Sequence, residues 1–140
     1  MRDPHFLLDA GPLVAYFHPR DQYHDWARNT FDLDDASFVA CEPVLVEAFY
    51  LLAKYPNGPD ILAQFCESDA LRIDFRLLDH ITPIRQLLQK YRDVPMSLAD
   101  ACLVLLAEQH PNATVITTDH DFLVYRTRSR RQIRILAPFS

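Results

Sequence analysis

Short apolar runs alternate with longer amphipathic segments along the chain. The short runs predict strands, and the segments between them predict helices with a period near 3.6 residues. The predicted strands cover residues 5–9, 37–41, 71–75, 113–118 and 132–136, the last as an edge strand. The predicted helices cover residues 13–17, 21–31, 43–55, 59–66, 79–91 and 97–110. Because helices of this length separate the strands, the fold class is α/β, with a mostly parallel sheet of about five strands and helices on both faces.

Local signals mark several helix ends. Asp21 is a candidate N-cap for the second helix, and Pro43 suits the first turn of the third, which Pro56 ends. Pro83 falls in the first turn of the fifth helix. The sequence has no Gly/Ser linker and no internal repeat, so we expect a single domain over residues 1–140.

Four acids stand alone inside apolar surroundings. Asp9 is the only charge between Phe6 and Phe17, and Asp119 directly follows the apolar run ATVITT. Glu47 lies inside VLVEAFYLLA and Asp100 inside LADACLVLLA, each as the only charge of its run. A buried carboxylate is costly unless it is paired or binds a metal, and no Lys or Arg lies in these runs. The pattern therefore indicates a shared counterion.

The predicted topology brings these acids together. Asp9 and Asp119 each end a predicted strand, and Glu47 and Asp100 lie early in helices that follow loops. In parallel sheets, sites form at the carboxyl ends of the strands. Since Mg²⁺ and Mn²⁺ prefer oxygen ligands, one of these two cations is the predicted counterion.

Three of the acids also have a purely structural interpretation. Asp9 is placed to make a turn or to cap the following helix, and Asp119 to cap a short helix through Phe122. Asp100, three residues after Ser97, fits the acidic position of a capping box. For each of these alone, the structural interpretation is at least as good. Glu47 lies too deep in its helix to cap it, and the four taken as a set favour a functional site.

Composition narrows the class of protein. The net charge of −5 argues weakly against nucleic-acid binding by bulk electrostatics, but not against an approach to phosphates through bound cations. With only two glycines, the chain has no Gly-rich phosphate loop. Cys41, Cys66 and Cys102 show no metal-binding spacing and are expected to be reduced, buried thiols that behave as small hydrophobic residues. No apolar run is long enough for a membrane span or a secretory signal, so a cytoplasmic location is expected.

The C-terminal stretch YRTRSRRQIR concentrates positive charge in an otherwise acidic chain. Its arginines have two alternatives: they contact nucleic-acid phosphates beside the acids, or they belong to a solvated loop before the last strand. The candidates for phosphate contact are Arg126, Arg128, Arg130 and Arg131, with Arg134 further along. His24 and His120 are expected to have surface or hydrogen-bonded roles rather than to bind a metal. Trp26, Phe31, Phe49, Leu52 and Phe65 are most simply core residues, with a protein–protein interface as the alternative for the last three.

Four segments in order carry a family resemblance: LLDAGPLVAYF, VLVEAFYLL, SLADACLVLLAEQ and VITTDHDF. At these separations the chain resembles the PIN-domain family, and within it the toxins of VapBC-type toxin–antitoxin pairs. The resemblance implies a three-layer α/β/α sandwich and metal-dependent endoribonuclease activity. The family's four acids correspond to Asp9, Glu47, Asp100 and Asp119, with Asp121 as an additional metal-binding acid.

Further residues follow from the same resemblance. Thr117 matches a hydroxyl residue that steadies the site, and Ser97 is expected to do likewise. The chain departs from the pattern at Gly11, where the family often has Ser or Thr. Backbone groups or water would then replace that hydroxyl contact.

The resemblance implies hydrolysis at a Mg²⁺ or Mn²⁺ site held by Asp9, Asp100 and Asp119, with Glu47 as a ligand or as the group that orients the attacking water. It also implies products with a 5′-phosphate and a 3′-hydroxyl, a homodimer, and an antitoxin partner whose C-terminal segment blocks the acidic pocket. One rival is a catalytically idle PIN-like module that binds RNA or protein. A haloacid-dehalogenase-like phosphatase is disfavoured, since its motif needs Asp where Gly11 stands. DNA as the substrate remains open.

Overall fold

A five-stranded parallel sheet forms the centre of the computed structural model, which describes residues 5–32 and 37–139. The strand order is β3-β2-β1-β4-β5, and every adjacent pair is parallel. The strands are β1 (Phe6–Leu8), β2 (Phe38–Ala40), β3 (Leu71–Ile73), β4 (Thr114–Ile116) and β5 (Ile135–Leu136). β5 lies at the edge, as predicted. The α/β class and the parallel sheet are thus confirmed.

Within the described residues, the strands are connected by six α-helices: α1 (Ala10–Phe17), α2 (His24–Phe31), α3 (Glu42–Leu52), α4 (Gly58–Glu67), α5 (Ile81–Lys90) and α6 (Leu98–Gln109). Short 3-10 helices cover Leu77–His80 and His120–Leu123. The chain steps from β1 to β2 to β3 in one direction and then returns across the sheet to β4. The right-handed rule for parallel crossovers assigns α1 to α4 to one face of the sheet and α5 and α6 to the other. The contacts of α1 with α2, α3 and α4, and of α5 with α6, agree with this assignment.

The core is centred on α6, which is buried from Ala99 through Ala107 and packs against β1, β4, α3 and α5. Such burial on all sides explains why its sequence is almost entirely apolar. The cysteines are free thiols, as predicted, and Cys41 and Cys102 are fully buried. Cys66 differs from the prediction, because it lies on α4 and is only partly buried. Among the described residues, no helix combines the length and the apolar character that a membrane crossing requires.

Several predicted boundaries are wrong for local reasons. α1 begins at Ala10 because Asp9 caps it, and α2 begins only at His24. The Asp21 carboxylate instead accepts a hydrogen bond from the Tyr23 backbone N–H at 2.9 Å, so it forms a turn before the helix. The predicted helix over 79–91 is divided, since a 3-10 turn precedes α5. Gln132 pairs with Arg126 across a loop and is not part of the last strand.

The connections that follow β1 and β4 leave in opposite directions, towards β2 and β5. Between such strands the carboxyl edge of a sheet opens into a crevice, which is the usual binding site in open α/β sheets. Asp9 follows β1 directly, and Asp119 lies three residues after the end of β4. Two of the predicted acids are therefore at this crevice.

Candidate active site

A cavity of about 290 Å³ opens at the carboxyl edge of the sheet. The predicted acids that line it are Asp9, Glu47, Asp100, Asp119 and Asp121. Its remaining lining consists of Gly11, Leu51, Pro95, Ser97 and Thr118, so no Lys, Arg or His of the described chain takes part. The structure thus brings together five acids that come from four separate segments of the sequence.

Asp9 is fixed through both of its carboxylate oxygens. Oδ1 accepts a hydrogen bond from the Ala10 N–H at 2.8 Å, which caps α1, and Oδ2 accepts one from the Thr117 hydroxyl at 2.7 Å. The side chain is nearly buried, with 7% exposed. Because its neighbours hold both carboxylate oxygens, the Asp9 side chain has a fixed orientation where it lines the cavity.

Thr117 joins the ends of the two central strands. Its hydroxyl is fully buried, donates to Asp9 and accepts a hydrogen bond from the Asp119 backbone N–H at 2.9 Å. One side chain therefore orients both the carboxylate that follows β1 and the backbone that carries Asp119. The steadying role that the family resemblance implies for Thr117 stays a prediction, and these two hydrogen bonds are the contacts through which Thr117 would act.

Asp100 lies in the first turn of α6 as part of a capping box. The Ser97 hydroxyl accepts a hydrogen bond from the Asp100 N–H at 3.0 Å, and Asp100 Oδ2 accepts one from the Ser97 N–H at 3.3 Å. The same Oδ2 accepts a hydrogen bond from the buried Tyr125 hydroxyl at 2.9 Å. The Tyr125 contact was not predicted from the sequence, because no motif connects this residue, at the start of the arginine-rich stretch, with Asp100.

Asp119 caps the short 3-10 helix through its Oδ1, which accepts from the Asp121 N–H at 2.9 Å. Asp9, Asp100 and Asp119 thus all perform the capping that their structural interpretation predicted, and all three line the cavity. A cap occupies only part of a carboxylate's capacity to accept hydrogen bonds. The two interpretations are therefore compatible for each residue.

Glu47 differs from the expectation of a buried carboxylate. Its side chain is exposed, and the neighbouring Val46 and Tyr50 are 69% and 71% exposed. The apolar run around Glu47 is therefore partly a surface face of α3, a possibility that hydrophobic periodicity does not separate from a core face. Glu47 lies at the rim of the cavity, where it remains accessible to water.

The electrostatics of the cavity follow from this unbalanced charge. Burial, together with repulsion from Asp100 and Glu47, raises the pKa of Asp9 to about 7, although hydrogen bonds from Thr117 and Ala10 oppose the change. Burial and then the charge of Asp119 raise the pKa of Asp100, against the hydrogen bonds from Tyr125 and Ser97. The pKa of Glu47 is also raised, first by the partial desolvation of its carboxyl group at the cavity rim and then by the charges of Asp100 and Asp119. Without a cation, the cavity disfavours full ionisation of its acids.

The donor set fits a hard divalent cation, because every candidate ligand is a carboxylate oxygen. Among residues 5–32 and 37–139, no three acidic, histidine or cysteine side chains gather closely enough to hold an ion together. Magnesium does not need such a cage, since it usually keeps several waters and binds through one or two carboxylates. The cavity is wide enough for an ion with part of its hydration shell.

Gly11 lies on α1 directly beneath the Thr118 side chain. A Cβ at this position would overlap the Thr118 hydroxyl, so the Thr118 Oγ1 occupies the space that a side chain at position 11 would enter. The sequence predicted backbone or water in place of the missing hydroxyl. The structure instead brings a hydroxyl from position 118 to this part of the cavity wall.

We expect Gly11→Ala to destabilise the protein. Overpacking against Thr118 costs about 1–3 kcal/mol, and the better helix propensity of alanine returns at most about 1 kcal/mol. Urea denaturation should show a net loss near 1 kcal/mol, and Thr118→Ala in the same background should restore the stability. A Gly11→Ala variant that is more stable than wild type would contradict this account.

The arginine-rich segment lies away from the acids. Arg128 Nε pairs with Glu108 at 2.7 Å, and Glu108 follows Asp100 by eight residues, about 12 Å along α6. The guanidinium of Arg126 donates to the carbonyls of Leu123, Val124 and Tyr125. Two of the predicted RNA contacts are therefore already engaged within the protein, whereas the side chains of Arg130 and Arg131 are exposed.

The histidines and aromatic residues occupy the roles that we expected for them. His24 Nδ1 donates to the Ala15 carbonyl at 2.7 Å, and exposed His120 stacks on Phe139 with ring centres 3.9 Å apart. Leu52 is fully buried in the core. The partly buried rings that pack against the core are Trp26, Phe31, Phe49 and Phe65.

Comparisons with known proteins support this architecture. The sequence pattern of the family described as PIN domain matches residues 6–127. The structure of VapBC2 from Rickettsia felis bound to a DNA fragment from their promoter is similar, with 16% identity, a TM-score of 0.62, and 94% of this chain and 97% of that chain covered. FitAcB from Neisseria gonorrhoeae is similar at 16% identity, with a TM-score of 0.57 and coverage of 96% and 98%. A comparison with curated proteins gave no match. At this level of identity the two structures show a shared fold.

Proposed function

This chain belongs to the PIN domain family, and from that membership we propose that it is a divalent-metal-dependent endoribonuclease with one domain over residues 1–140. The observation that carries the proposal is the cavity with five carboxylates and no basic side chain in its lining. A module that only binds RNA or protein would gain nothing from acids that repel one another at a sheet edge. The idle-module alternative is therefore the weaker one.

Asp9, Asp100 and Asp119 are the residues that would hold Mg²⁺ or Mn²⁺, with Asp121 as a further oxygen ligand at the entrance. When bound, the cation supplies an activated water and electrostatic stabilisation of the phosphodiester under attack. The rigid hydrogen bonds of Asp9 keep its carboxylate in place during the reaction. Glu47, which is exposed at the rim of the cavity, would orient the attacking water or complete the ligand set. The products expected from the family resemblance carry a 5′-phosphate and a 3′-hydroxyl.

The direct test is incubation of the purified protein with a mixed RNA pool in Mn²⁺, Mg²⁺ or EDTA, alongside calorimetric titration with Mn²⁺. We expect cleavage with either cation, none in EDTA, and heat of Mn²⁺ binding. Single-stranded DNA in the same assay examines substrate preference, because only contacts to the 2′-hydroxyl distinguish the two polymers. A folded protein that neither takes up Mn²⁺ nor cleaves RNA would overturn the proposal.

We expect the RNA phosphates to contact Arg130 and Arg131 rather than Arg126 and Arg128. Replacing both exposed arginines by alanine should weaken RNA binding and reduce the slope of log K against log[salt] by about 1.4, since each single-strand phosphate contact contributes about 0.7. Fluorescence anisotropy at several salt concentrations measures this slope. The matched control removes two exposed arginines elsewhere, Arg20 and Arg28. If the two double variants behave alike, the segment is a solvated loop.

The proposed partners are a second copy of this chain and a small antitoxin, as the resemblance to VapBC-type toxins implies. An apolar groove of about 590 Å³ adjoins the acidic cavity, and exposed Val46, Tyr50 and Leu98 line it. Contiguous exposed apolar surface of this kind typically marks a protein interface. Light scattering after gel filtration should give the mass of a dimer. The proposed location is the cytoplasm.

A further inference from the structure

Tyr125 is fully buried, yet its hydroxyl reaches one of the acids of the cavity. It donates to Asp100 Oδ2 at 2.9 Å, although 25 residues separate the two along the chain. A buried phenol needs a hydrogen-bond partner, but any backbone carbonyl would have sufficed. The partner here is a carboxylate that carries the proposed function.

The Tyr125 ring is held firmly in the core. Tyr91 and Phe122 contact it edge to face, each with ring centres 5.1 Å apart. The Tyr125 backbone N–H donates to the Asp121 carbonyl, and the next residue, Arg126, donates its N–H to the Tyr91 hydroxyl at 2.9 Å. With ring and backbone both fixed, the position of the hydroxyl is fixed as well.

This hydroxyl determines which oxygen of Asp100 is free. Oδ2 accepts both the Tyr125 hydroxyl and the longer contact from the Ser97 N–H at 3.3 Å. Among the residues that the structure describes, no donor makes a hydrogen bond to Oδ1. Oδ1 is also not one of their fully buried polar atoms that lack a hydrogen-bond partner, so it retains access to solvent. The carboxylate therefore turns one satisfied oxygen into the core and leaves the other available on the cavity side.

We propose that Tyr125 is a positioning residue that holds Asp100 through Oδ2 so that Oδ1 is presented as a ligand for the divalent cation. The inference rests on the proposed function, because it concerns the same cavity. The proposal adds Tyr125, in the segment that follows Asp121, to the residues that position the acids of the cavity. This segment was not assigned to the site from the sequence. Mutation of a residue that orients a metal ligand through a hydrogen bond commonly lowers metal affinity or activity 10–100-fold.

The test compares Tyr125→Phe with Tyr16→Phe. Both changes remove one phenol oxygen, but Tyr16 is a half-buried residue of α1 that packs against Phe17 and Phe31 and is not part of the cavity lining. Calorimetry should show Mn²⁺ affinity about tenfold weaker for Tyr125→Phe and unchanged for Tyr16→Phe. With RNA, kcat should fall in the first variant while KM stays near wild type.

A merely structural role would give a different pattern. It would lower the melting temperature of the metal-free Tyr125→Phe protein without changing its Mn²⁺ affinity, and that result overturns the proposal. Circular dichroism establishes that both variants are folded, and the rise in melting temperature on adding Mn²⁺ gives a second measure of affinity. Wild-type protein that binds no Mn²⁺ would instead refute the proposed function itself, so the two failures are distinguishable.

Discussion

Asp9→Asn should abolish metal-dependent cleavage of RNA, with a loss of at least about 100-fold, since even groups that only orient a metal ligand contribute 10–100-fold. Asp9 is the most constrained acid of the cavity, because Ala10 and Thr117 hold both of its oxygens. Asparagine keeps the size and one acceptor but removes the negative charge that a cation requires. The fold should therefore persist while the site fails.

The control is Asp25→Asn, which makes the same chemical change at an exposed position on α2. The initial rate of cleavage of a labelled RNA in Mn²⁺ should be unchanged in this control and lost in Asp9→Asn. Activity that persists in Asp9→Asn and resists EDTA would indicate a contaminating nuclease. Activity that persists in Asp9→Asn but still requires Mn²⁺ would show that the cation binds elsewhere.

Much of the fold could be predicted because its signals are local. Strand β4 is a β-branched run followed by polar residues, and α6 begins at a Ser97–Asp100 capping box that is visible in the sequence. The errors arose where tertiary contacts decide the boundary. Asp21 has the residue type of an N-cap, but its carboxylate is engaged by the Tyr23 N–H, and the helix starts later.

That these acids meet at one cavity could be predicted, because an isolated charge in an apolar run is visible in the sequence alone. Their role in binding a metal stays a prediction. The contacts that orient the acids could not be predicted, because they join residues far apart in the chain. Tyr125 reaches Asp100 across 25 residues, and Thr118 fills the space above Gly11 only after β4 has paired with β1. The burial of Glu47 was predicted wrongly, because an apolar run in the sequence can form an exposed face of a helix, as it does around Val46 and Tyr50.

The metal-free protein should lose stability as the pH rises from about 4 to 7, and Asp9 should be a main cause. Its pKa is 3.8 in the unfolded chain and about 7 in the folded protein, so the folded state binds more protons in this window. The free energy of unfolding then decreases with pH, and the full loss is present above pH 7. The difference corresponds to about 4 kcal/mol. Asp100 and Glu47 face Asp9 and add to the effect, with no basic residue in the described cavity lining.

Asp9→Asn isolates this contribution, because asparagine does not titrate. Urea denaturation in EDTA at several pH values between 4 and 8 measures the free energy of unfolding of both proteins. The value of the variant relative to that of wild type should increase by about 4 kcal/mol from pH 4 to pH 8. Altered hydrogen bonds to Thr117 change the free energy of unfolding of the variant by the same amount at pH 4 and at pH 8, so they cancel from that difference. Adding Mn²⁺ at pH 8 should stabilise wild type more than the variant, since a cation that binds only the folded state favours the ionised acid. Parallel pH profiles for the two proteins would mean that Asp9 ionises in the folded protein as it does in the unfolded chain, and the electrostatic argument for a shared cation would fail.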